Sequence, residues 1–399
     1  MIDLQLNYYL LVVLIILQCA VIFYLIYPFL LYICKCKHRK EVVGSKIASK
    51  SDYAIIVTAY EQTNLIPAVV DSLLQLNYED YLIYVVADNC DISSLHFEDS
   101  KVIILRPELV LASNVKSHFH AISNFKRQHD RLTIIDSDNL VDPEYLNQLD
   151  LFFDQGYKAV QGVRKAKNLN TQYACLDEAG DIYYRFIDRK LLFDCGSSSS
   201  LAGSGMAFTT SVFKECLGNY QVGGAGFDKI LQYELLSRRL KIAFSEKAIV
   251  YDEKTSKSDQ LVKQRARWIN TWFKFFVLGL KMNIGSIRNL DKNQFLFSLM
   301  LLRPPLFIQF MMVGMFGLIN LLVFPELILA LFIGVGLFVL VFFKALAYFA
   351  ADIKIYKSLK DAPKFVYYQI AALFKANRAN KISVATKHEY QSQIKDLKP

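Results

Sequence analysis

Between residues 53 and 135, short apolar runs alternate with segments of helical periodicity. Tyr53-Ala54-Ile55-Ile56-Val57 predicts a strand ending at Thr58-Ala59-Tyr60-Glu61, and Asn64 is placed to cap a helix carrying Leu65, Val69, Leu73 and Leu76. A second strand is predicted at 82–86, ending at Ala87-Asp88-Asn89-Cys90-Asp91, and a third at 102–105. An amphipathic helix at 113–128 and a strand at 132–135 close the series. This alternation predicts an α/β domain with a mainly parallel sheet.

The pattern then changes. A long helical segment at 173–193 leads into Cys195-Gly196-Ser197-Ser198-Ser199-Ser200-Leu201-Ala202-Gly203-Ser204-Gly205-Met206, where small residues allow backbone to approach a ligand closely. Gly223-Gly224-Ala225-Gly226-Phe227-Asp228 sets an acid after a glycine-rich turn, at the start of a helix through Leu235 and Leu236. The segment 258–282 predicts a helix with Trp268, Trp272, Phe273, Phe275 and Phe276, suited to lying on a bilayer surface, as does 365–374. Residues 10–33, 306–324 and 327–343 are apolar and uncharged runs that predict three membrane spans.

Charge fixes the expected orientation. Lys35, Lys37, Arg39 and Lys40 follow the first span, and Lys354, Lys357, Lys360 and Lys364 follow the third, so both flanks are expected to face the cytoplasm. The net charge of +9 is then a membrane-surface signal and not a nucleic-acid footprint. The seven cysteines show neither a pairing framework nor zinc spacing, which fits a reducing compartment. The spans carry no buried charge, which argues against a transporter.

Candidate chemistry gathers at strand ends, where ligands sit in open α/β sheets. Asp136 and Asp138 follow the fourth strand at i and i+2; in an extended segment both would point to one side, toward a hard cation such as Mg²⁺ or Mn²⁺. A solvated turn has the same composition. Asp88 stands at a neighbouring strand end, and Asp228 reads either as a chemical group or as a first-turn helix acid.

Together these elements resemble the membrane-bound family 2 glycosyltransferases, the group of cellulose, chitin and hyaluronan synthases, over roughly residues 50–390. Gln264-Arg265-Ala266-Arg267-Trp268 fits the family's Q-x-x-R-W signature, and Asp136-Ser137-Asp138 fits its D-x-D. The resemblance implies a GT-A (Rossmann-like) domain at 35–257 behind an anchor at 1–34. It is followed by a signature and interfacial region at 258–305, two spans within 306–350 and a basic tail at 351–399. It also implies that Thr58, Ala59, Tyr60, Glu61, Asp88, Lys116, Asp136 and Asp138 bind the nucleotide-sugar, with Asp138 as the direct metal ligand. Asp136 then serves the nucleotide or holds the ion through water. Gly203, Ser204, Gly205 and Trp268 would meet the acceptor, Asp228 would be the base, and Thr386 and Lys387 would belong to a gating loop. One departure stands out: Phe227 occupies the place of a glutamate before the base, and Glu234 is the alternative carrier.

The implied reaction is metal-dependent, inverting transfer from a nucleotide-sugar, with UDP expected, to a growing cell-surface polysaccharide through β-linkages. Transfer of one sugar to a lipid-linked acceptor is the enzymatic alternative, since three spans are few for a polysaccharide channel unless other subunits contribute. An inactive scaffold of a synthase complex is the alternative from another class, motivated by the missing glutamate. Lysine, asparagine and isoleucine usage points to a bacterial inner membrane.

Overall fold

The computed structural model of the chain describes residues 2–35, 51–218, 220, 226–322, 325–375 and 390–397. The expected gating loop with Thr386 and Lys387, and the glycines at 223 and 224, lie outside these residues.

Among the described residues, eight strands form one sheet: β1 (Tyr53–Tyr60), β2 (Tyr81–Asp88), β3 (Val102–Leu105), β4 (Arg131–Asp136), β5 (Leu140–Val141), β6 (Ala159–Ala166), β7 (Met206–Thr209) and β8 (Ile242–Asp252). Their spatial order is β3-β2-β1-β4-β7-β6-β8-β5. The first four strands pair in parallel, as their apolar runs predict. The other half departs from the mainly parallel expectation: β7 is antiparallel to both β4 and β6, β6 and β8 are parallel, and β5 is antiparallel to β8.

Side chains alternate across the sheet with the strand period of two. Ala54, Ile56, Leu132 and Ile134 enter one apolar core, while Tyr53, Ile55, Val57 and Ile135 enter another beneath the helices Ile66–Leu74 and Tyr145–Phe153. Each fully buried aliphatic side chain contributes up to about 1.5–3 kcal/mol of transfer free energy. Leu65, not Asn64, occupies the cap position of the helix Ile66–Leu74, and it makes no side-chain cap bond; Pro67 at the helix start sets the entry instead. The helix expected at 113–128 is shorter, Asn114–Ser123, with Ser113 as its cap.

The first core continues into the membrane-type helices. It includes Leu25 and Leu31 of the helix Ile2–Cys34, Phe316 of Leu306–Leu322 and Phe338 of Pro325–Tyr348. Among the described residues, two helices, Leu11–Cys34 and Pro325–Tyr348, are long and apolar enough to cross a membrane. The third expected span corresponds to Leu306–Leu322, which is bent by 69° from Lys292–Leu302 at the Pro304-Pro305 break; the bent pair adds a third span if the two helices cross as one broken unit. At Gly334 a Cβ would lie 3.2 Å from Leu25 Cδ1, so the two long helices meet where one has no side chain.

One long helix couples this bundle to the sheet. Gln172–Tyr184 passes through a π-helical segment, Arg185–Leu191, into Leu192–Asp194. One side carries Tyr183 and Phe186 against Phe338 and Tyr348. The other carries charges toward the sheet.

Candidate active site

The carboxyl ends of β1, β2 and β4 form the rim of the site. Pairing aligns Thr58 with Asp136 and Tyr60 with Asp88. Strands β1 and β2 each end through a left-handed residue, Glu61 (φ 61°) and Asn89 (φ 53°), and the Asn89 amide donates to Glu61 Oε1 at 3.4 Å. The expected loop Thr58-Ala59-Tyr60-Glu61 therefore turns out of the sheet beside Asp88. The Asp88 carboxylate is buried and accepts the backbone N–H groups of Leu111 (2.9 Å) and Ala112 (2.8 Å), folding the following loop over the strand end. Lys116 is exposed in the first turn of the next helix, where its N–H donates to Ser113 Oγ at 3.5 Å.

Asp136 closes β4, and Asp138 lies in a turn closed by Asn139 N–H donating to the Asp136 carbonyl at 3.0 Å. The alternation expected for an extended i, i+2 pair therefore does not apply, because the strand ends at Asp136. The Asp136 N–H donates to Ser204 Oγ at 3.1 Å, which brings Gly203-Ser204-Gly205 against the Asp-Ser-Asp turn. Gln161 holds that loop: its amide nitrogen donates to the carbonyls of Ser204 and Gly205, each at 3.1 Å, and its oxygen accepts from Ala202 N–H at 2.8 Å. Asp138 is buried, with Oδ2 accepting from Glu253 N–H at 3.3 Å and its carbonyl accepting from Lys167 Nζ at 2.8 Å.

No group of three or more His, Cys, Asp or Glu side chains is arranged as a metal cage among the described residues. Two hard carboxylates on one turn nevertheless fit an ion of the Mg²⁺ or Mn²⁺ type, which is commonly held by one or two carboxylates together with substrate phosphates and water.

The signature lies on the helix Ser258–Arg288. Gln264 Oε1 accepts from Thr255 Oγ1 at 3.1 Å. Arg265 is ion-paired with Asp177, and its guanidinium stacks 4.2 Å from the centre of the Trp268 ring. Burial holds the Arg267 guanidinium below its ordinary pKa. Trp268 is 49% exposed, so it presents a wide apolar surface.

Asp228 is brought to the same helix through its neighbour. Gly226 has φ 101°, and a Cβ there would lie 2.4 Å from Phe275 Cε2 and 2.9 Å from Thr271 Cγ2; Thr271 Oγ1 in turn donates to the Arg267 carbonyl at 2.8 Å. Phe227, in the place of the family's glutamate, is buried against His118, with ring centres 5.1 Å apart. Glu234 is ion-paired with Arg238 and accepts from Tyr220 at 2.5 Å.

A buried ionic layer between the sheet and the long helix was not foreseen from sequence. Lys254 Nζ lies 3.0 Å from Glu178, 2.9 Å from Asp181 and 3.1 Å from Asp252. Arg185 pairs with Glu178 at 3.0 Å and Asp181 at 3.1 Å, while Arg164 bridges Asp252 (2.5 Å) and the Ala202 carbonyl (2.7 Å). Burial alone would lower the pKa of Lys254, but Asp181, Asp252 and Glu178 raise it, and Lys254 with Arg185 holds the Asp181 carboxyl well below its usual range against the opposing effect of burial. The signal for these residues was present: Asp252 follows the apolar run of β8 just as Asp88 and Asp136 follow theirs, and the long helix repeats Asp181 and Arg185 at i, i+4.

The α/β sheet with its flanking helices has the GT-A glycosyltransferase fold. Residues 51–271 match the family described as Glycosyltransferase like family 2, and the chain belongs to that family and is a glycosyltransferase. Among solved structures, the mannosyltransferase PcManGT from Pyrobaculum calidifontis, in complex with GDP-Man and Mn²⁺, superposes with a TM-score of 0.51 at 13% identity over 92% of this chain and 98% of that one. TarS 1-349 of S. aureus, in complex with UDP-GlcNAc, gives 0.43 at 14% identity over 82% and 89%. No curated protein sequence matches the chain.

Proposed function

We propose that this enzyme transfers a sugar from a nucleotide-diphospho-sugar to an acceptor held at the membrane surface, with inversion at the anomeric carbon and dependence on Mg²⁺ or Mn²⁺. The observation that carries the reading is the hydrogen bond from Asp136 N–H to Ser204 Oγ, which joins the donor-side carboxylates to the acceptor-side loop. Asp138 would hold the cation directly, with Asp136 acting through water or on the ribose. When bound, the ion neutralises charge developing on the leaving diphosphate. Arg267, with Lys116 from the rim, would donate to the diphosphate, whereas Arg265, held by Asp177, orients Trp268 for the acceptor. Asp228 would take the proton of the acceptor hydroxyl as its oxygen attacks the anomeric carbon and the bond to diphosphate breaks. Such a general-base step is worth about 10²- to 10⁴-fold.

Uridine is the nucleotide that the family resemblance implies, and the GDP-Man of PcManGT makes guanosine the second candidate. Two acceptors fit. A growing β-linked polysaccharide is supported by the signature helix. A lipid-linked sugar receiving one residue is supported by the presence of two crossing helices, or three if the bent pair is one span, among the described residues. The positive flanks support a cytoplasmic catalytic domain.

The test is incubation of membranes containing the protein with labelled UDP- and GDP-sugars and Mn²⁺, followed by sizing and organic-solvent partitioning of the product. A polymer ladder supports elongation, and a single organic-soluble product supports the lipid acceptor. Absence of transfer from every donor, or full turnover after chelation, would overturn the proposal.

A further inference from the structure

The far end of the chain returns to the donor side of the α/β domain. The described segment 390–397 packs on the helix following β1. Ile394 is buried in the core shared with Ile66, Val69 and Val70, and Leu397 lies against it. Gln393 and Asp396 close a capping box that keeps this short turn rigid. Gln391, Gln393 and Asp396 form one wall of a groove whose other wall is Asn64, Leu65 and Ala68.

The segment also reaches Glu253. Tyr390 N–H donates to Glu253 Oε2 at 3.1 Å, and Glu253 N–H donates to Asp138 Oδ2 at 3.3 Å. Lys167 braces both: Nζ donates to the Asp138 carbonyl at 2.8 Å and lies 3.9 Å from Glu253 Oε2. A continuous chain of polar contacts thus runs from Tyr390 to Asp138, across 137 and then 115 residues of sequence separation.

We infer that the segment 390–397 is a positioning element for the donor site: its docking through Ile394 fixes Glu253, and Glu253 fixes the Asp138 carboxylate. The inference rests on the reading of Asp138 as the cation ligand. Docking contributes nothing to the reacting atoms themselves, so its loss acts on donor binding. Undocking raises KM for the nucleotide-sugar and the Mn²⁺ requirement, while kcat at saturating donor and Mn²⁺ stays within about twofold. That split separates positioning from general loss of fold, which lowers the active fraction and hence kcat.

The experiment titrates the full chain in detergent with UDP and with GDP, each with Mn²⁺, by calorimetry. Ile394→Asp is expected to weaken binding about tenfold and Ile394→Val to leave it within twofold. Glu253→Ala keeps the apolar anchor and the main-chain N–H to Asp138 but removes the side-chain bond that ties that N–H to Tyr390, and it is expected to weaken binding severalfold without moving the thermal transition; it decides the matter if Ile394→Asp does not fold. Unchanged binding in Glu253→Ala overturns the inference. Asp138→Asn separates the two levels: if it binds as the parent does, the metal assignment fails, and if it alone abolishes binding, only the role of the tail fails.

Discussion

Arg265 and Asp177 form an ion pair that fastens the signature helix to the long helix lying between the sheet and the membrane bundle. Asp177 also accepts Thr255 N–H at 3.2 Å, and Thr255 Oγ1 bonds Gln264, so both ends of the Gln264-Arg265 step are tied to one carboxylate's neighbourhood. The guanidinium that makes this pair is the one stacked on Trp268. The indole is therefore positioned through Asp177, a residue 88 positions before Arg265 in the chain.

Asp177→Asn should loosen that clamp. Both partners are nearly buried, and removing one charge from such a pair costs about 3–5 kcal/mol, reduced here toward 2–3 by the residual exposure of Arg265. The expected result is a Tm lower by several degrees and a raised KM for the acceptor, with donor binding unchanged. An Asp177→Asn protein with the parent's Tm and acceptor KM would show that the pair positions nothing.

Gly226→Ala should damage activity more than its size suggests. The residue needs φ 101°, and its Cβ would overlap Phe275 and Thr271, so the turn before Asp228 must withdraw from the signature helix. Left-handed strain costs of order 1–3 kcal/mol by itself. Turnover is expected to fall at least tenfold, with Phe275→Ala in the same protein restoring only part of it, since the overlap is relieved and the backbone strain is not. A Gly226→Ala enzyme with normal kcat would separate Asp228 from this contact.

The parallel half of the fold was legible because Ile55, Ile56, Val85 and Ile134 are buried on both sheet faces, and such strands read as unbroken apolar runs. The antiparallel half was not. β5 is two residues long, β7 is four, and the apolar run of β6 breaks at Arg164, which serves the ionic layer, and at exposed Lys165. The rim acids were visible for the same reason as their strands, since each stops an apolar run. What Asp88 touches was invisible, because Leu111 and Ala112 come from a loop whose path depends on the left-handed backbone of Ala112. The Lys254 cluster was hidden by distance in sequence: its partners are 73 or more residues away, apart from Asp252.

His118 predicts a pH response. It is buried beside Phe227 and Phe213, neither ring nitrogen has a hydrogen-bond partner among the described residues, and burial pushes its pKa down to about 3 from 6.5. Between those values the unfolded chain binds a proton that the folded chain refuses. Its contribution to stability is therefore complete above pH 6.5 and declines as pH falls, with a slope approaching ~1.4 kcal/mol per unit. His118→Phe keeps the ring packing and removes the proton site, so its Tm should fall less between pH 7 and pH 4.5 than the parent's. Parallel Tm profiles for the two proteins would mean that His118 is protonated in the fold.

The two carboxylates of the β4 turn should respond differently to substitution. Asp138 is buried, with its carboxylate accepting Glu253 N–H and its carbonyl accepting Lys167 Nζ, and the Asp136 main-chain N–H donates to Ser204. A carboxylate so oriented suits direct ligation, and one acting through water tunes affinity on the scale of 10–100-fold. Asp136→Asn is accordingly expected to raise the Mn²⁺ concentration for half-maximal activity by roughly that factor, with turnover largely recovered at saturating metal. Asp138→Asn is expected to lose transfer at every Mn²⁺ concentration. Measuring rate against Mn²⁺ for both variants checks the division: recovery of Asp138→Asn at high metal together with failure of Asp136→Asn would reverse the two assignments and make Asp136 the direct ligand.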